Sequence, residues 1–514
     1  MIYLYTLPGI NFNYPEIKNI LYSSYLKENG IEYKNIDYTT FLLNNVLTNK
    51  NFKKINIDID SIKQDIKNPK KDLLKVNEKF LKSTNKFLIQ FGLNINNHGF
   101  YYNNPIKDIN DLIKTSNNIK QFINLFPLDE YKSKDIIFIN VSYGFQIPMA
   151  INLSDRIKNQ NKETKIIWGG NFLTQINKNC KELISKIKSL DAIIFFNHLK
   201  TFKNIIDYYK GESNELLNAF TKNNQSILDR NIKDDIKSYN LDYSDIDLEQ
   251  YLSRDRILPI ILSYGCYYNN CKFCAHHYHY GNYQNIDITN ICKSIKKMYQ
   301  ENKFDSIVFL DECILPEKVI QLSEYLLENN IKTKWMFETR ISKEYLDINN
   351  VKKLKDSGCK FVSFGIESYN KNVLRNMNKG IDIKTIKKVL KNFYINNIIV
   401  SGTFIIGYPQ ETKLNIFKTL YFISHFKYID SFGLNAFVLA RNSIISDELK
   451  LDYKNINLTY RLKDDYREYL ENKIQKFNQK KKIKKNAKVK NKLLNRCDYF
   501  YLERAAFSIN YKEE

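Results

Sequence analysis

Apolar positions change their period along the chain, and the changes divide it. Residues 2–6 (Ile-Tyr-Leu-Tyr-Thr) are a short apolar run that stops at Leu7-Pro8-Gly9, as a buried strand does. From Pro15 the period lengthens: Ile17, Ile20, Leu21, Tyr25 and Leu26 share a helical face, and Gly30 supplies the stop. Residues 31–38 form a second strand-like run. A polar segment rich in Asn and Lys, mostly of helical period, then interrupts the pattern over about residues 41–130. Strands resume at 135–142, 165–170 and 191–196, with helical patterns at 148–159 and around 181–190 between them. Strands alternating with helices predict an α/β, doubly wound parallel sheet over residues 1–210, a Rossmann-like domain. Ligands of such sheets bind beyond the carboxyl ends of the strands. Here those ends carry Leu7-Pro8-Gly9, the turn from Ser142 to Gln146, and Gly169-Gly170-Asn171.

Residues 211–255 hold no sustained period and are acidic in patches, which reads as a linker. Alternation then restarts. Strands are expected at 257–263, 305–311, 333–339, 360–366, 398–406 and 432–439, with helices at 289–302, 316–329, 349–357, 382–394 and 412–426. Six βα repeats over residues 256–445 predict a partial barrel, whose chemistry would sit at the carboxyl ends of its strands. The remainder, 446–514, reads as a small helical and basic extension, with a lysine run from 480 to 492 that suits a solvated face.

A length of 514 residues with 43% hydrophobic content supports two ordinary cores. The net charge of +23 and pI near 9.3 invite a nucleic-acid reading. The abundance of Lys, Asn, Ile and Tyr offers a compositional explanation instead, so a nucleic-acid partner is open but not favoured. No apolar run reaches membrane-spanning length, and the first residues read as a strand without a basic leader. Clustered thiols without a secretion signal suit a reducing cytoplasm.

The candidate chemistry lies in one stretch. Cys266, Cys271 and Cys274, three of eight cysteines, follow the expected strand 257–263, with four residues and then two between them. Three thiolates this close point to a metal or cluster. A structural zinc wants four protein ligands, and cubane clusters are usually held by four thiolates. No fourth cysteine is expected nearby, because Cys292 falls in an amphipathic helix. Three cysteines with an open corner suit a cluster that binds a substrate at its fourth iron. The competing readings are a zinc knuckle completed by His276, His277 or His279, and three free core thiols.

Gly-Cys, a gap, then Cys-Lys-Phe-Cys resembles the radical S-adenosylmethionine superfamily. The four-residue gap matches the loop of members that carry an N-terminal cobalamin-binding domain, rather than the commoner three-residue gap. Further along, Phe364-Gly365-Ile366-Glu367-Ser368, then Met377-Asn378-Lys379-Gly380, then the Gly407-Tyr408-Pro409 turn are similar to family blocks. The resemblance implies a [4Fe–4S] cluster on Cys266, Cys271 and Cys274, and S-adenosylmethionine chelated to the fourth iron. A 5′-deoxyadenosyl radical would then abstract hydrogen from an unactivated position. It assigns the cofactor's amino group to Asp311 or Glu312, the ribose to Glu367 and Ser368, and the adenine region to Gly407 and the backbone of Phe273; the guanidinium of Arg340, after the strand 333–339, would pair with the cofactor carboxylate or with Asp311.

In the first domain, Ser142 followed by Gly169-Gly170 resembles a cobalamin site. The lower-ligand motif Asp-x-His-x-x-Gly is missing, so cobalt would lack a protein imidazole. The implied activity is cobalamin-dependent methylation of an unactivated carbon in a peptide or small metabolite, with flavodoxin or ferredoxin as electron donor. The alternatives are a non-methylating radical rearrangement or cyclisation enzyme, and a non-catalytic iron–sulfur or corrinoid sensor.

Overall fold

The computed structural model describes residues 1–9, 11–96, 99–103, 106, 108–196, 198–234, 241–448, 459–460 and 472. Apart from 446–448 and those last isolated positions, the expected basic extension, with its lysine run, lies outside the described residues. The chain forms two units. One is built from Met1–Ser253 joined by His279–Asn282, the other from Arg254–Tyr278 and the chain from 283 to 448.

The first unit is organised on a six-stranded sheet. Its strands are β1 (Ile2–Thr6), β2 (Tyr33–Asp37), β5 (Ile136–Asn140), β6 (Lys165–Gly169), β7 (Ala192–Ile194) and β8 (Ala219–Thr221); β3 (Leu93–Asn96) and β4 (Gly99–Tyr102) pair apart as a hairpin. The order is β2-β1-β5-β6-β7-β8. The first five run parallel, as the alternation predicts. All five residues of β5 are buried, because helices cover both faces. Tyr22, on the helix Ile17–Glu28, stacks on Phe202 with ring centroids 4.0 Å apart, and Phe138 of β5 meets both rings edge-on.

One expectation is borne out and one corrected here. The insertion over 41–130 is mostly helical, as its period predicts. Beside helices such as Leu73–Leu88 it holds the β3–β4 hairpin, where Leu93 and Ile95 turn inward on a period of two. The stretch 211–255 is not a free linker. Its residues 219–221 form β8, which pairs antiparallel with β7 and supplies an edge strand. Farther on, buried Tyr251 donates its hydroxyl to Asp37 at 2.5 Å, and Leu252 bonds back to Phe12. Residues 245–251 thereby close a cavity of about 200 Å³ against the ends of β1 and β2.

The second unit carries six parallel strands in chain order: β9 (Ile257–Ile260), β12 (Ser306–Phe309), β13 (Lys334–Arg340), β14 (Cys359–Glu367), β15 (Ile399–Ile406) and β16 (Ser431–Ala436). Each adjacent pair is parallel, and β9 and β16 are not paired to each other, so the barrel is open. A two-residue ladder of β10 (Ser263–Tyr264) on β11 (Gln284–Asn285) brackets the cysteine stretch. The connecting helices start where short polar side chains take orphan amides. Asp287, Asp347, Asp382 and Thr412 cap Ile288–Gln300, Ile348–Asp356, Ile383–Ile395 and Lys413–His425. The pairing of β14 with β15 slips between Gly365 and Glu367, and Glu367 takes φ +66°. An unusual backbone at a strand's carboxyl end marks a place where side-chain direction is being set.

Candidate cluster site at the carboxyl end of the barrel

The cysteine loop leaves the carboxyl end of β9, the edge strand of the open barrel. Cys266, Cys271 and Cys274 are all free thiols and half-buried. Backbone amides are turned toward their sulfurs: those of Tyr268 and Asn269 hydrogen-bond to Cys266, and the His276 amide lies 3.4 Å from the Cys274 sulfur. Amides aimed at sulfur favour the thiolate.

The surrounding charge has the matching sign. Lys379 is buried, 3.0 Å from Glu367, and its positive charge acts on Cys266 and Cys271. Burial pulls against the ammonium, but Glu367 and the Cys271 and Cys313 sulfurs together outweigh it, so Lys379 stays charged. Burial pushes the Cys271 thiol up to about 11. His276 pairs with Glu312 at 3.1 Å. Burial lowers that imidazole's affinity for a proton, but Glu312 and the Cys274 sulfur outweigh it and hold it at about 10. Three half-buried thiols, aimed amides and nearby cations fit an anionic cluster. Among the described residues no group of three or more His, Cys, Asp or Glu side chains already stands in metal-holding geometry.

One expectation about this loop is wrong. A fourth cysteine does lie nearby. Cys313, four residues past the end of β12, forms a parallel bridge with Cys266. The Cys313 thiol beside it holds the Cys266 thiol well below its ordinary range. The two cysteines are 47 residues apart in the chain, and no local spacing links them. Cys292 is buried in the helix Ile288–Gln300, as expected.

The loop is hung on a second segment that sequence reasoning left without a role, Met377-Asn378-Lys379-Gly380. The Lys272 amide bonds to the Met377 carbonyl at 3.0 Å. The Asn378 side chain donates to the Asn270 carbonyl, and the Tyr268 hydroxyl donates to the Asn378 carbonyl. Arg340 stacks on the Tyr268 ring at 3.4 Å and donates to the Lys379 carbonyl. Gly380 sits at φ +67°, and a Cβ there would stand 2.3 Å from the Tyr268 hydroxyl. The cationic side chain of Lys379 and the tight turn after it were both visible in that string, but their target was not.

The remaining expected residues separate into two groups. Glu312, beside His276, and Phe273, with Lys379 5.8 Å from its ring, stand at the cysteine loop. Arg340 and Glu367 reach the same region through Tyr268 and Lys379. Asp311, by contrast, is buried and spends both oxygens on the Leu262 amide and one on the Ser263 hydroxyl at 2.6 Å. Burial pushes its carboxyl up to about 7. It braces the start of the loop, which singles out Glu312 of the pair. Arg340 has no ion pair with Asp311 among the described residues. Ser368 is fully buried against the Thr419 hydroxyl at 3.3 Å. The Gly407 amide donates to Glu411 at 2.6 Å, and burial pushes that carboxyl up to about 7.

In the first unit, Ser142 and Gly169-Gly170 stand at the carboxyl edge of β5 and β6, where such sheets receive ligands. Ser142 is half-buried, its hydroxyl 3.2 Å from Asn140. The glycines serve the fold itself. A Cβ on Gly169 would meet Phe138 at 2.7 Å, and one on Gly170, at φ +136°, would stand 2.2 Å from the Val141 carbonyl. A residue not singled out from sequence, Gln146, ties this edge together. It accepts from the amides of Ser142 and Tyr143 and donates to the carbonyls of Leu7 and Pro8. No histidine follows β1. The described histidine of Met1–Ser253, His198, is buried beside Asp234.

Residues 260–423, from the last residue of β9 through most of the helix after β15, match the model of the radical SAM superfamily. That stretch is a radical SAM domain. Over 287 residues the chain is 24% identical to an uncharacterised methyltransferase of Pyrococcus horikoshii, covering 53% of this chain and 60% of that one. Its fold is similar to that of OxsB, solved as a cobalamin-dependent S-adenosylmethionine radical enzyme with aqua-cobalamin and S-adenosylmethionine bound. The TM-score is 0.59 at 16% identity, over 87% of this chain and 60% of that one. It is also similar to TsrM of Kitasatospora setae, a radical S-adenosylmethionine methyltransferase solved with cobalamin and a [4Fe–4S] cluster. There the TM-score is 0.52 at 11% identity, over 87% and 77% of the two chains. The chain thus spans about 60% of the length of the Pyrococcus relative and of OxsB. Among the described residues no helix is long and apolar enough to cross a membrane.

Proposed function

We propose that this protein is a radical S-adenosylmethionine enzyme of the cobalamin-dependent methyltransferase kind, acting on an unactivated carbon of a peptide or small metabolite. The observation that carries the reading is the loop of Cys266, Cys271 and Cys274 at the carboxyl end of the first strand of an open parallel barrel, in a chain that also holds a doubly wound sheet. A [4Fe–4S] cluster held there would supply the electron for reductive cleavage of S-adenosylmethionine, and cobalamin would supply the methyl group.

This chain's own residues bind and shield. The three thiolates hold irons, and the amides of Tyr268, Asn269 and His276 together with the charge of Lys379 offset the negative charge on those sulfurs. Glu312 is the carboxylate at hand for the cofactor's ammonium, a charge-assisted hydrogen bond. His276 holds Glu312 in place until then. Glu367, already aimed by its left-handed backbone, is the candidate for the ribose, with Phe273 and Gly407 beside the adenine region. Arg340 is placed to reach the cofactor carboxylate only by leaving Tyr268, so its first duty is to hold the loop. Ser142 and the 169–170 turn would form the edge that holds the corrinoid. A low-potential donor such as flavodoxin or ferredoxin, in a reducing cytoplasm, completes the scheme.

Anaerobic reconstitution tests it. The protein should take up about four irons and four sulfides per chain, and the triple change of Cys266, Cys271 and Cys274 to Ala should abolish uptake. With reductant and S-adenosylmethionine, 5′-deoxyadenosine should be released. Hydroxocobalamin should bind, and its cobalt(II) state should show no axial nitrogen hyperfine splitting. Stoichiometric zinc in place of iron would sink the radical reading. Iron loading without corrinoid uptake would leave a non-methylating radical enzyme.

A further inference from the structure

Cys313 and Cys266 belong to different segments, yet they are backbone partners. They form an isolated parallel bridge, which sets the two side chains beside each other. Neighbouring strand positions lie about 4.8 Å apart, inside the Cα separation of about 4.4–6.8 Å that a disulfide needs. Both thiols are free. Cys313 is 5% exposed and has the Thr339 hydroxyl as a side-chain neighbour at 4.0 Å. Cys266 is half-buried, so an oxidant can reach the pair from its side. Cys271 and Cys274, a Cys-x-x-Cys pair, are joined through the backbone, the Cys274 amide donating to the Cys271 carbonyl at 3.1 Å.

From this geometry we propose that Cys266 and Cys313 are an oxidation site: in the cluster-free protein they close a reversible disulfide. The two thiols lose two protons and two electrons to a thiol oxidant, an S–S bond forms, and a dithiol reductant restores both S–H groups. Resting on the cluster reading above, the disulfide removes the first of the three ligands. A sulfur bonded to Cys313 is no thiolate and holds no iron, so oxidation blocks cluster assembly while leaving Cys271 and Cys274 in place. Cys313 thus reserves Cys266 as a paired thiol until iron and sulfide arrive.

The test uses the full chain, freed of iron with a chelator and treated anaerobically with the azo oxidant diamide. Free thiols are then alkylated, and the links are read by peptide mass spectrometry. The expected product joins the Cys266 and Cys313 peptides, is lighter than the two thiols by two hydrogens, disappears with dithiothreitol, and is absent from Cys313→Ser. Diamide-treated parent protein should then take up less than a tenth of the iron that the reduced parent takes up, and dithiothreitol should restore uptake. A link between Cys271 and Cys274 alone, or no link, overturns the proposal. The two readings fail separately. If the 266–313 link forms but reduced protein holds no iron, the cluster reading falls and the oxidation site stands. If reduced protein loads iron and the link never forms, the reverse holds.

Discussion

Lys379 keeps a full charge where water scarcely reaches, with a relative exposure of 7%. A lone ammonium there would cost several kcal/mol to desolvate. Its 3.0 Å contact with Glu367 is what makes the position tolerable. Removing one partner strands the other, so Lys379→Met should destabilise the fold by about 3–5 kcal/mol, read as a lower urea midpoint. Glu367→Gln in the same chain should recover much of that loss, because no buried charge is then left over. A double variant no more stable than Lys379→Met would show that the lysine acts chiefly on the thiols. Asp311 is a second case in which position overrides residue type. Sequence resemblance treats Asp311 and Glu312 as interchangeable candidates, but the first is consumed by the Leu262 amide and the Ser263 hydroxyl. Its carboxyl, raised by burial to about 7, binds a proton more tightly folded than unfolded. Its contribution to stability is therefore full below the unfolded pKa and fades as pH rises toward 7. Parent protein should lose ground against Asp311→Asn between about pH 4 and pH 7, by up to about 1.4 kcal/mol per pH unit, as followed by denaturant midpoints.

The cysteine loop and the segment from 377 to 380 act as one element. Three hydrogen bonds join them, and Gly380 packs so close to the Tyr268 ring that it leaves no room for a Cβ. Gly380→Ala puts a side chain on a left-handed backbone, a penalty of roughly 1–2 kcal/mol, and pushes it into the Tyr268 hydroxyl. The loop should loosen while the sheet holds, so the three loop cysteines should react faster with a disulfide reagent at nearly unchanged circular dichroism. Unchanged thiol rates would show that the anchor lies elsewhere. The long βα elements were legible in the sequence because most strands are buried runs and the helices carry a buried stripe, several of them opened by a capping residue. Ser306–Phe309 and Ile383–Ile395 lie within a few residues of where periodicity puts them. The short elements were not. β8 has three residues, and its pairing with β7 comes from tertiary contact rather than from any run of its own. The β3–β4 hairpin was hidden inside a segment whose helices dominate the pattern.

Over the whole molecule, a net charge of +23 guarantees attraction to polyanions at low salt. Such attraction carries no sequence information and falls steeply as salt releases its advantage. Retention on immobilised RNA should therefore vanish between low and moderate salt, with no preference among sequences, as checked by elution profiles. A salt-resistant, sequence-selective complex would move nucleic acid from a background attraction to a substrate. The sequence by itself determined the two sheets, the open barrel and the three-cysteine loop, because local period and close spacing encode them. Tertiary structure alone decided which carboxylate faces the loop, what the Met-Asn-Lys-Gly string supports, why Gly169 and Gly170 have no side chains, and that Cys313 meets Cys266. Each of these depends on segments tens of residues apart being brought side by side by strand order, and no local pattern carries that information.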